Sequence, residues 1–296
     1  MKSGDVVVRR SYFEAPLMSE RKWSKVPAIP ADVFLADMED SCPPAEKERA
    51  RNRVVELVRD PSYFGGREFV CRPNNLATPW GPDDVAALAA AQAPFILYPK
   101  VRSCRELEQL VAIFERHGTT PEIMVLIETP EAVLAMEQIA RCRGVSALAF
   151  GPGDLSAATR ISNFRGADPF PQGFLYARGK LVMVACAYGL QAVDAAYLPD
   201  LRDLNALREA VEVSRLSGFS GMISFYPPQV PVINEQFGPS ADDLEAARRA
   251  VVAYEHGLAQ GLAAVSVDGR SITVHEYGLA KRLVDTATML GRLVAV

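Results

Sequence analysis

The feature that most constrains the fold of this chain is a regular alternation of short apolar runs with longer amphipathic stretches. Eight runs have the length and composition of buried strands: residues 7–13, 33–36, 68–71, 95–98, 123–127, 147–150, 191–193 and 221–224. Between most of them, apolar residues recur at the three- and four-residue spacing of a helix. Strands that alternate with helices pair in parallel, and eight of them close most naturally into a (β/α)₈ TIM barrel. A doubly wound open sheet is the alternative, although no GxGxxG motif opens a helix after a strand.

The end of the chain departs from this pattern. Ser240 is a good N-cap for a helical stretch that runs to about residue 264. A short segment and a final helix from about Gly278 follow it. We therefore predict an α/β fold with two parts, a catalytic barrel over residues 1–238 and a C-terminal helical extension or lid over residues 239–296.

Composition excludes several classes of protein. The 296 residues are 49% hydrophobic and 23% charged, which is ordinary for a soluble protein with a large core, and the net charge of −4 gives no basic surface for nucleic acid. No apolar run has the length of a signal peptide or a membrane span, so we expect a cytoplasmic protein. The five cysteines show no CxxC spacing, which predicts reduced thiols rather than a zinc site.

Charged or polar residues follow nearly every predicted strand at its carboxyl end. They are Asp37, Glu39 and Asp40 after the second strand, Arg72 and Asn74 after the third, Lys100 after the fourth, Glu128 after the fifth, Asp154 after the sixth and Asp194 after the seventh. In a parallel barrel these ends meet on the face that carries the active site. The sequence therefore predicts an active site there.

Glu128 and Asp154 are the candidate metal ligands, because neighbouring strands deliver them to the same face. Mg²⁺ binds few carboxylates and keeps its other positions for water and substrate. Such an ion would chelate a 2-oxo acid and act as a Lewis acid towards its enolate, while Arg72 would contact the same oxygens. The alternatives are that Glu128 caps the next helix, that Asp154 ends a turn, and that Arg72 forms a structural salt bridge with the acids at 37–40.

Two further residues of this face have candidate roles. Glu39 is a possible outer-shell group that orders metal-bound water. Lys100 has the chemistry of a Schiff-base lysine, but a neighbouring metal site favours a structural or electrostatic role.

These residues belong to a longer series of motifs in a fixed order. The series includes Arg10-Ser11, Asp37-Met38-Glu39-Asp40-Ser41, Arg72-Pro73-Asn74, Pro99-Lys100-Val101, Ile127-Glu128-Thr129, Phe150-Gly151 with Asp154-Leu155, and Pro228-Gln229-Val230. In order and spacing the chain resembles the citrate lyase beta subunits and malyl-CoA lyases of the HpcH/HpaI aldolase superfamily.

The resemblance implies a reversible Claisen-type cleavage of a 3-hydroxy-3-carboxyacyl-CoA, such as malyl-CoA or citramalyl-CoA, into an acyl-CoA and a 2-oxo acid. It implies a homotrimer or hexamer with Mg²⁺, or Mn²⁺ as the alternative ion, on the two carboxylates named above. Arg72 would bind the oxo acid and its enolate. Arg10, Lys25 and Asp194 would bind the substrate or the phosphates of CoA.

Two departures from the family pattern bear on the reaction. Glu14 and Leu17 replace an apolar residue and a glycine beside the expected CoA entry, which keeps open a CoA-independent aldolase or hydrolase on a small hydroxy-dicarboxylate. Thr273 stands where malyl-CoA lyases have an acid/base aspartate, and His275 or Glu276 is the candidate replacement. A surface role for His275, and with it a non-catalytic ligand-binding barrel, is the alternative.

Overall fold

The computed structural model describes residues 8–15, 17–60, 62–161, 172–195 and 198–294. Two compact units are present, Arg9–Ile233 and a second that contains Asn234–Val296. The domain boundary at residues 238 and 239 stays a prediction. Among the described residues, no helix is both long enough and apolar enough to cross a bilayer.

The first unit is a closed barrel of eight parallel strands in sequential order. The strands are β1 (Ser11–Ala15), β2 (Val33–Asp37), β3 (Glu68–Arg72), β4 (Phe95–Tyr98), β5 (Glu122–Ile127), β6 (Val145–Phe150), β7 (Gln191–Asp194) and β8 (Gly221–Ser224). Strand β1 pairs with both β2 and β8, which closes the sheet. The predicted (β/α)₈ barrel is confirmed and the open sheet is excluded.

Helices connect the strands of the barrel. They are α1 (Glu20–Trp23), α2 (Lys47–Arg59), α3 (Gly81–Ala90), α4 (Cys104–Glu115), α5 (Pro130–Ala140), α6 (Pro152–Thr159), α7 (Leu175–Tyr188), α8 (Leu204–Leu216) and α9 (Gln229–Phe237). The Thr129 hydroxyl accepts a hydrogen bond from the Ala132 amide at 3.0 Å and so caps α5. Glu128 therefore does not cap this helix, which was the alternative to a role in the site.

The first strand begins later than the sequence predicts. Residues 7–13 were expected, whereas β1 runs from Ser11 to Ala15, and residue 7 lies outside the described residues. The two preceding arginines are held by ion pairs at the amino ends of the strands: Arg9 binds Glu68 and Glu122, and Arg10 binds Asp32. Because β1 is displaced towards the C-terminus, position 14 lies inside it, paired with Leu35 of β2.

The second unit contains α10 (Ala241–Ala259), the antiparallel strands β9 (Val265–Val267) and β10 (Arg270–Ile272), and α11 (Val274–Val294). The Ser240 hydroxyl accepts a hydrogen bond from the Asp243 amide at 3.0 Å, which confirms the predicted N-cap. Asp268 and Gly269 both have positive φ, which suits a tight hairpin turn. Helix α11 begins at Val274, earlier than expected.

The early start of α11 has a local cause. The Thr273 hydroxyl accepts a hydrogen bond from the His275 amide, and the Glu276 carboxylate accepts one from the Thr273 amide at 2.9 Å. This reciprocal pattern is a capping box. His275 and Glu276 therefore lie in the first turn of α11 rather than in a loop before it.

The prediction that all cysteines are reduced is wrong for two of them. Cys104, at the start of α4, and Cys142, just after α5, form a disulfide across 38 positions of sequence. Their proximity arises from the packing of neighbouring helices, which a search for CxxC spacing does not detect. Cys42, Cys71 and Cys186 are free.

Candidate active site

Four charged side chains enter the barrel from the carboxyl ends of its strands. The interior core contains Tyr12 of β1, Leu35 of β2, Val70 of β3 and Leu126 of β5. Alternate residues of a strand share one face. The residues two positions further on therefore also face inward, and these are Glu14, Asp37, Arg72 and Glu128.

A cavity of about 610 Å³ lies at this end of the barrel. Its charged lining consists of Glu14, Asp40, Arg72, Glu128 and Asp154, and the remainder includes apolar residues of β5, β6 and β8. A groove of about 670 Å³ lies elsewhere, on the outside of the barrel, lined by α1, α2 and the turn before β3. We place the site in the strand-end cavity, because the candidate chemical groups converge there.

Arg72 is the positive centre of the buried cluster. Its Nε donates to Asp37 at 2.6 Å, and its Nη2 donates to Glu14 at 3.4 Å. Burial alone would raise the pKa of Asp37, but the Arg72 charge and the hydrogen bonds from Ser41 outweigh it and hold that pKa low. Asp37 also accepts from the Glu39 amide at 2.7 Å, so it fixes both Arg72 and the loop that carries Glu39.

Glu128 is held by a neighbouring loop. Its Oε1 accepts a hydrogen bond from the backbone amide of Lys100 at 2.7 Å, and Lys100 has a left-handed backbone with φ of 51°. Gly151 packs against the same carboxylate: a Cβ at that position would lie 2.8 Å from Glu128 Oε2. Burial, and then the charges of Glu39 and Asp154, raise the pKa of Glu128 well above its usual value.

The Lys100 ammonium group lies among three carboxylates. Its Nζ is 2.7 Å from Glu39, 2.8 Å from Asp40 and 3.8 Å from Asp154. Burial acts to lower the pKa of Lys100, but these acids outweigh it and raise that pKa above its usual value. A Schiff-base lysine must be neutral to attack, so the geometry favours the electrostatic role.

The donor set fits a hard divalent cation. Six carboxylates, those of Glu14, Asp37, Glu39, Asp40, Glu128 and Asp154, lie around the two cations Arg72 and Lys100. Among the described residues, the buried Oε2 of Glu39 has no hydrogen-bond partner. The described residues contain no group of three or more His, Cys, Asp or Glu side chains that is arranged to hold a metal ion. Two carboxylates suffice for Mg²⁺, which retains several water ligands.

Asp194 does not face the cavity. Its strand neighbours Val193 and Ala195 belong to the interior core, so Asp194 points outward. There it is fully buried, binds Arg178 of α7 and accepts from Ser214 of α8 at 2.8 Å. The prediction that Asp194 binds substrate is corrected to a structural role between the barrel and its helices.

Arg10 and Lys25, two other predicted residues of the first unit, do not line the cavity. Arg10 precedes β1 at the opposite, amino end of the barrel, where its guanidinium makes two hydrogen bonds to Asp32 at 2.8 and 2.9 Å. Its predicted role in binding substrate is not supported, because parallel strands place that end away from the site. Lys25 is exposed before the 3₁₀ turn Val26–Ala28, and its role in binding CoA stays a prediction. His275 is exposed in the second unit, and its catalytic role also stays a prediction.

Sequence reasoning missed one residue of this site. Glu14 was interpreted only as a departure from a family pattern, whereas it lines the cavity and contacts Arg72. The signal was available: once β1 starts at Ser11, Tyr12 and Glu14 fall on the interior face.

Comparison with known proteins places this arrangement in a family. Residues 10–227 match the HpcH/HpaI aldolase/citrate lyase family. A (3S)-malyl-CoA thioesterase of Cereibacter sphaeroides is 32% identical over 263 residues, which cover 89% of this chain and 89% of the relative. The mitochondrial citramalyl-CoA lyase of Homo sapiens is 26% identical over 303 residues, covering 96% of this chain and 87% of the relative.

A solved structure extends the similarity to almost the whole chain. The protein CitE from Mycobacterium tuberculosis, in complex with magnesium, acetoacetate and coenzyme A, superposes with a TM-score of 0.79 at 25% identity and covers 95% of this chain and 99% of that chain. Fold and sequence thus agree, and the chain belongs to the HpcH/HpaI aldolase/citrate lyase family.

Proposed function

We propose that this protein is a Mg²⁺-dependent carbon–carbon lyase that cleaves a 3-hydroxy-3-carboxyacyl-CoA into an acyl-CoA and a 2-oxo acid. The observation that carries the proposal is the convergence of Glu128, Asp154 and Arg72 on one cavity at the carboxyl end of the barrel. Relatives named as lyases of citramalyl-CoA and malyl-CoA support the substrate class.

Each group in the cavity has a chemical role in this proposal. Glu128 and Asp154 would hold the ion, which when bound supplies Lewis-acid polarisation of an oxo-acid carbonyl. Arg72 provides a fixed positive charge for the substrate carboxylate and for the oxygen that becomes negative during cleavage. Glu39 is held between Arg72 and Lys100, which suits a group that orders water around the ion.

The apolar part of the cavity suits the acyl portion of the substrate. Leu126, Ile223 and Phe225 contribute to its wall together with Leu198 and Leu201. Such a wall lowers the local dielectric, which strengthens the interaction of Arg72 with an anion. We further propose that the enzyme works as a homotrimer or hexamer, which light scattering after gel filtration tests directly.

Hydrolysis of the thioester is the second candidate function. The observation that favours it is the 32% identity to a relative named (3S)-malyl-CoA thioesterase. In that reaction water attacks the thioester carbonyl and the C–S bond breaks, giving the hydroxy acid and free CoA. The carbon skeleton stays intact, so the two reactions differ in their products.

One assay separates these functions. The protein is incubated with malyl-CoA and, separately, citramalyl-CoA in Mg²⁺, and free thiol and 2-oxo acid are measured in parallel. Lyase activity yields a 2-oxo acid without free thiol, whereas thioesterase activity yields free thiol without a 2-oxo acid. Cleavage of free citramalate together with no binding of acetyl-CoA would favour the CoA-independent aldolase. Binding of pyruvate without any product would favour the non-catalytic barrel.

Two variants test the metal site. Glu128→Gln and Asp154→Asn each remove one ligand charge, and each is expected to abolish Mg²⁺-dependent turnover in a folded protein. Glu209→Gln, on the exposed surface of α8, is the matched control with the same loss of charge. Full activity in both site variants and after chelation would contradict the proposal.

A further inference from the structure

Glu14 occupies the edge of Arg72 that faces the cavity. The Glu14 Oε2 atom lies 3.4 Å from Arg72 Nη2, and both residues line the cavity. The Glu14 side chain is only 13% exposed, so its negative charge is little screened by water. An anionic substrate that binds Arg72 from the cavity must therefore come close to this carboxylate.

The charges that face Glu14 come from three neighbouring places. Strand β3 contributes Arg72, strand β2 contributes Asp37, and the loop after β2 contributes Glu39 and Asp40. The apolar Ile223 of β8 and Phe225, the residue directly after that strand, also contribute to the wall of the cavity. The Arg72 guanidinium thus interacts with several carboxylates, and its Nε donates a hydrogen bond to Asp37.

We propose that Glu14 is a specificity-determining residue: only in its neutral form does it admit a substrate carboxylate to Arg72, so that binding of the anion takes up one proton. The inference rests on the proposed function for the identity of the ligand, a 2-oxo acid. In the neutral form the Glu14 hydroxyl can donate a hydrogen bond to the incoming carboxylate, whereas the ionised form repels it and competes for Nη2.

The electrostatic surroundings agree with this behaviour. Burial raises the pKa of Glu14 most strongly, the Arg72 charge acts to lower it, and Asp37, Asp40 and Glu39 raise it further, to about 7. Glu14 therefore titrates in the range where a small change of pH alters its charge. A substrate without a carboxylate at this position would not experience the competition.

Calorimetry of pyruvate binding tests the inference. The full-length protein with saturating Mg²⁺ is titrated with pyruvate at pH 6, 7 and 8, in pairs of buffers with different enthalpies of ionisation. We expect the affinity for pyruvate to fall roughly tenfold between pH 6 and pH 8. The affinity changes little below the pKa of the group that takes up the proton, and it falls up to tenfold per pH unit above that pKa. Uptake approaching one proton per pyruvate is expected at pH 8.

The variant Glu14→Gln is expected to bind pyruvate with an affinity that does not depend on pH and without this proton uptake. At pH 8 it should bind roughly tenfold more tightly than the native protein, since the neutral amide mimics the protonated acid. Glu14→Met, which is also neutral and of similar size, is the second variant should the glutamine variant not fold. Glu209→Gln is the control and should behave as the native protein does.

The outcomes distinguish the two proposals. Unchanged pH dependence and proton uptake in the Glu14 variants would overturn this inference and leave the proposed function standing. Absence of pyruvate binding by the native protein at every pH would overturn both. Loss of proton uptake in the Glu14 variants alone supports the inference.

Discussion

Replacing Glu14 by glutamine removes a buried charge at nearly constant side-chain volume, so the stability of the protein should change with pH. Burial and the nearby acids raise the pKa of this carboxyl from 4.5 to about 7. A carboxyl whose pKa is raised on folding holds a proton that the unfolded chain has already released. Between pH 4.5 and about pH 7, the free energy of unfolding of the native protein therefore decreases as the pH rises.

The size of the effect follows from the two pKa values. Each unit of difference corresponds to about 1.4 kcal/mol. Under acidic conditions both side chains are neutral, and the difference in free energy of unfolding between the variant and the native protein there serves as the reference. Relative to that reference, the difference should move in favour of the glutamine variant by about 1 kcal/mol at pH 5 and by about 3 kcal/mol at pH 8. The gain arises because the variant never ionises, whereas the native side chain carries a little-screened charge in the cavity above pH 7.

Urea denaturation at pH 5, 6, 7 and 8, with a chelator present to remove metal ions, measures this difference. Glu209→Gln removes an exposed carboxylate of α8 and should show a difference that is nearly independent of pH. A pH-independent difference for Glu14→Gln as well, or a variant that becomes less stable than the native protein as the pH rises, would refute the reasoning. The first result would mean that Glu14 is well solvated in the folded state, and the second that Arg72 stabilises its ionised form.

Three further perturbations follow from individual contacts. Gly151→Ala places a Cβ 2.5 Å from the Cβ of Glu128 and should therefore displace this ligand. Calorimetry should show that the Mg²⁺ affinity falls roughly tenfold or more, while the circular dichroism spectrum stays that of the native protein. Unchanged affinity would contradict the role of Gly151 in positioning Glu128. Thiol titration in urea should count three reactive cysteines without reductant and five with it, because Cys104 and Cys142 are bonded; five in both conditions would exclude the disulfide. Arg9→Met removes the cation that pairs with Glu68 and Glu122 at the amino ends of β3 and β5. Because both carboxylates are partly exposed, the change should cost about 1–2 kcal/mol in unfolding free energy with little change in kcat, and unchanged stability would contradict this.

The barrel could be predicted because its signal is repeated eight times along the chain. An error of a few residues in one element does not alter such a pattern, and the late start of β1 left the fold prediction intact. The predicted location of the site likewise depends little on exact strand limits, because the carboxyl ends of parallel strands meet on one face.

The direction of individual side chains was harder to predict, because it changes with every residue of a strand. Asp194 was expected in the site and points outward to Arg178, whereas Glu14 was set aside and points inward to Arg72. Both errors concern alternation within a strand of four or five residues. Arg10 was assigned to the site from motif position alone, although it lies at the amino end of β1.

The C-terminal segment shows how one motif supports two interpretations. Thr273-Val274-His275-Glu276 was interpreted as a lost aspartate with possible replacements, but the same four residues are a capping box, and the structure forms it. The hydrogen bonds from Thr273 lower the pKa of Glu276, so Glu276 is a poor proton acceptor at neutral pH. Glu14 and Glu39, by contrast, are carboxyls of the barrel whose pKa burial raises. Proton transfer at neutral pH requires a group that titrates near the working pH, and Glu14, whose pKa is raised to about 7, meets that requirement.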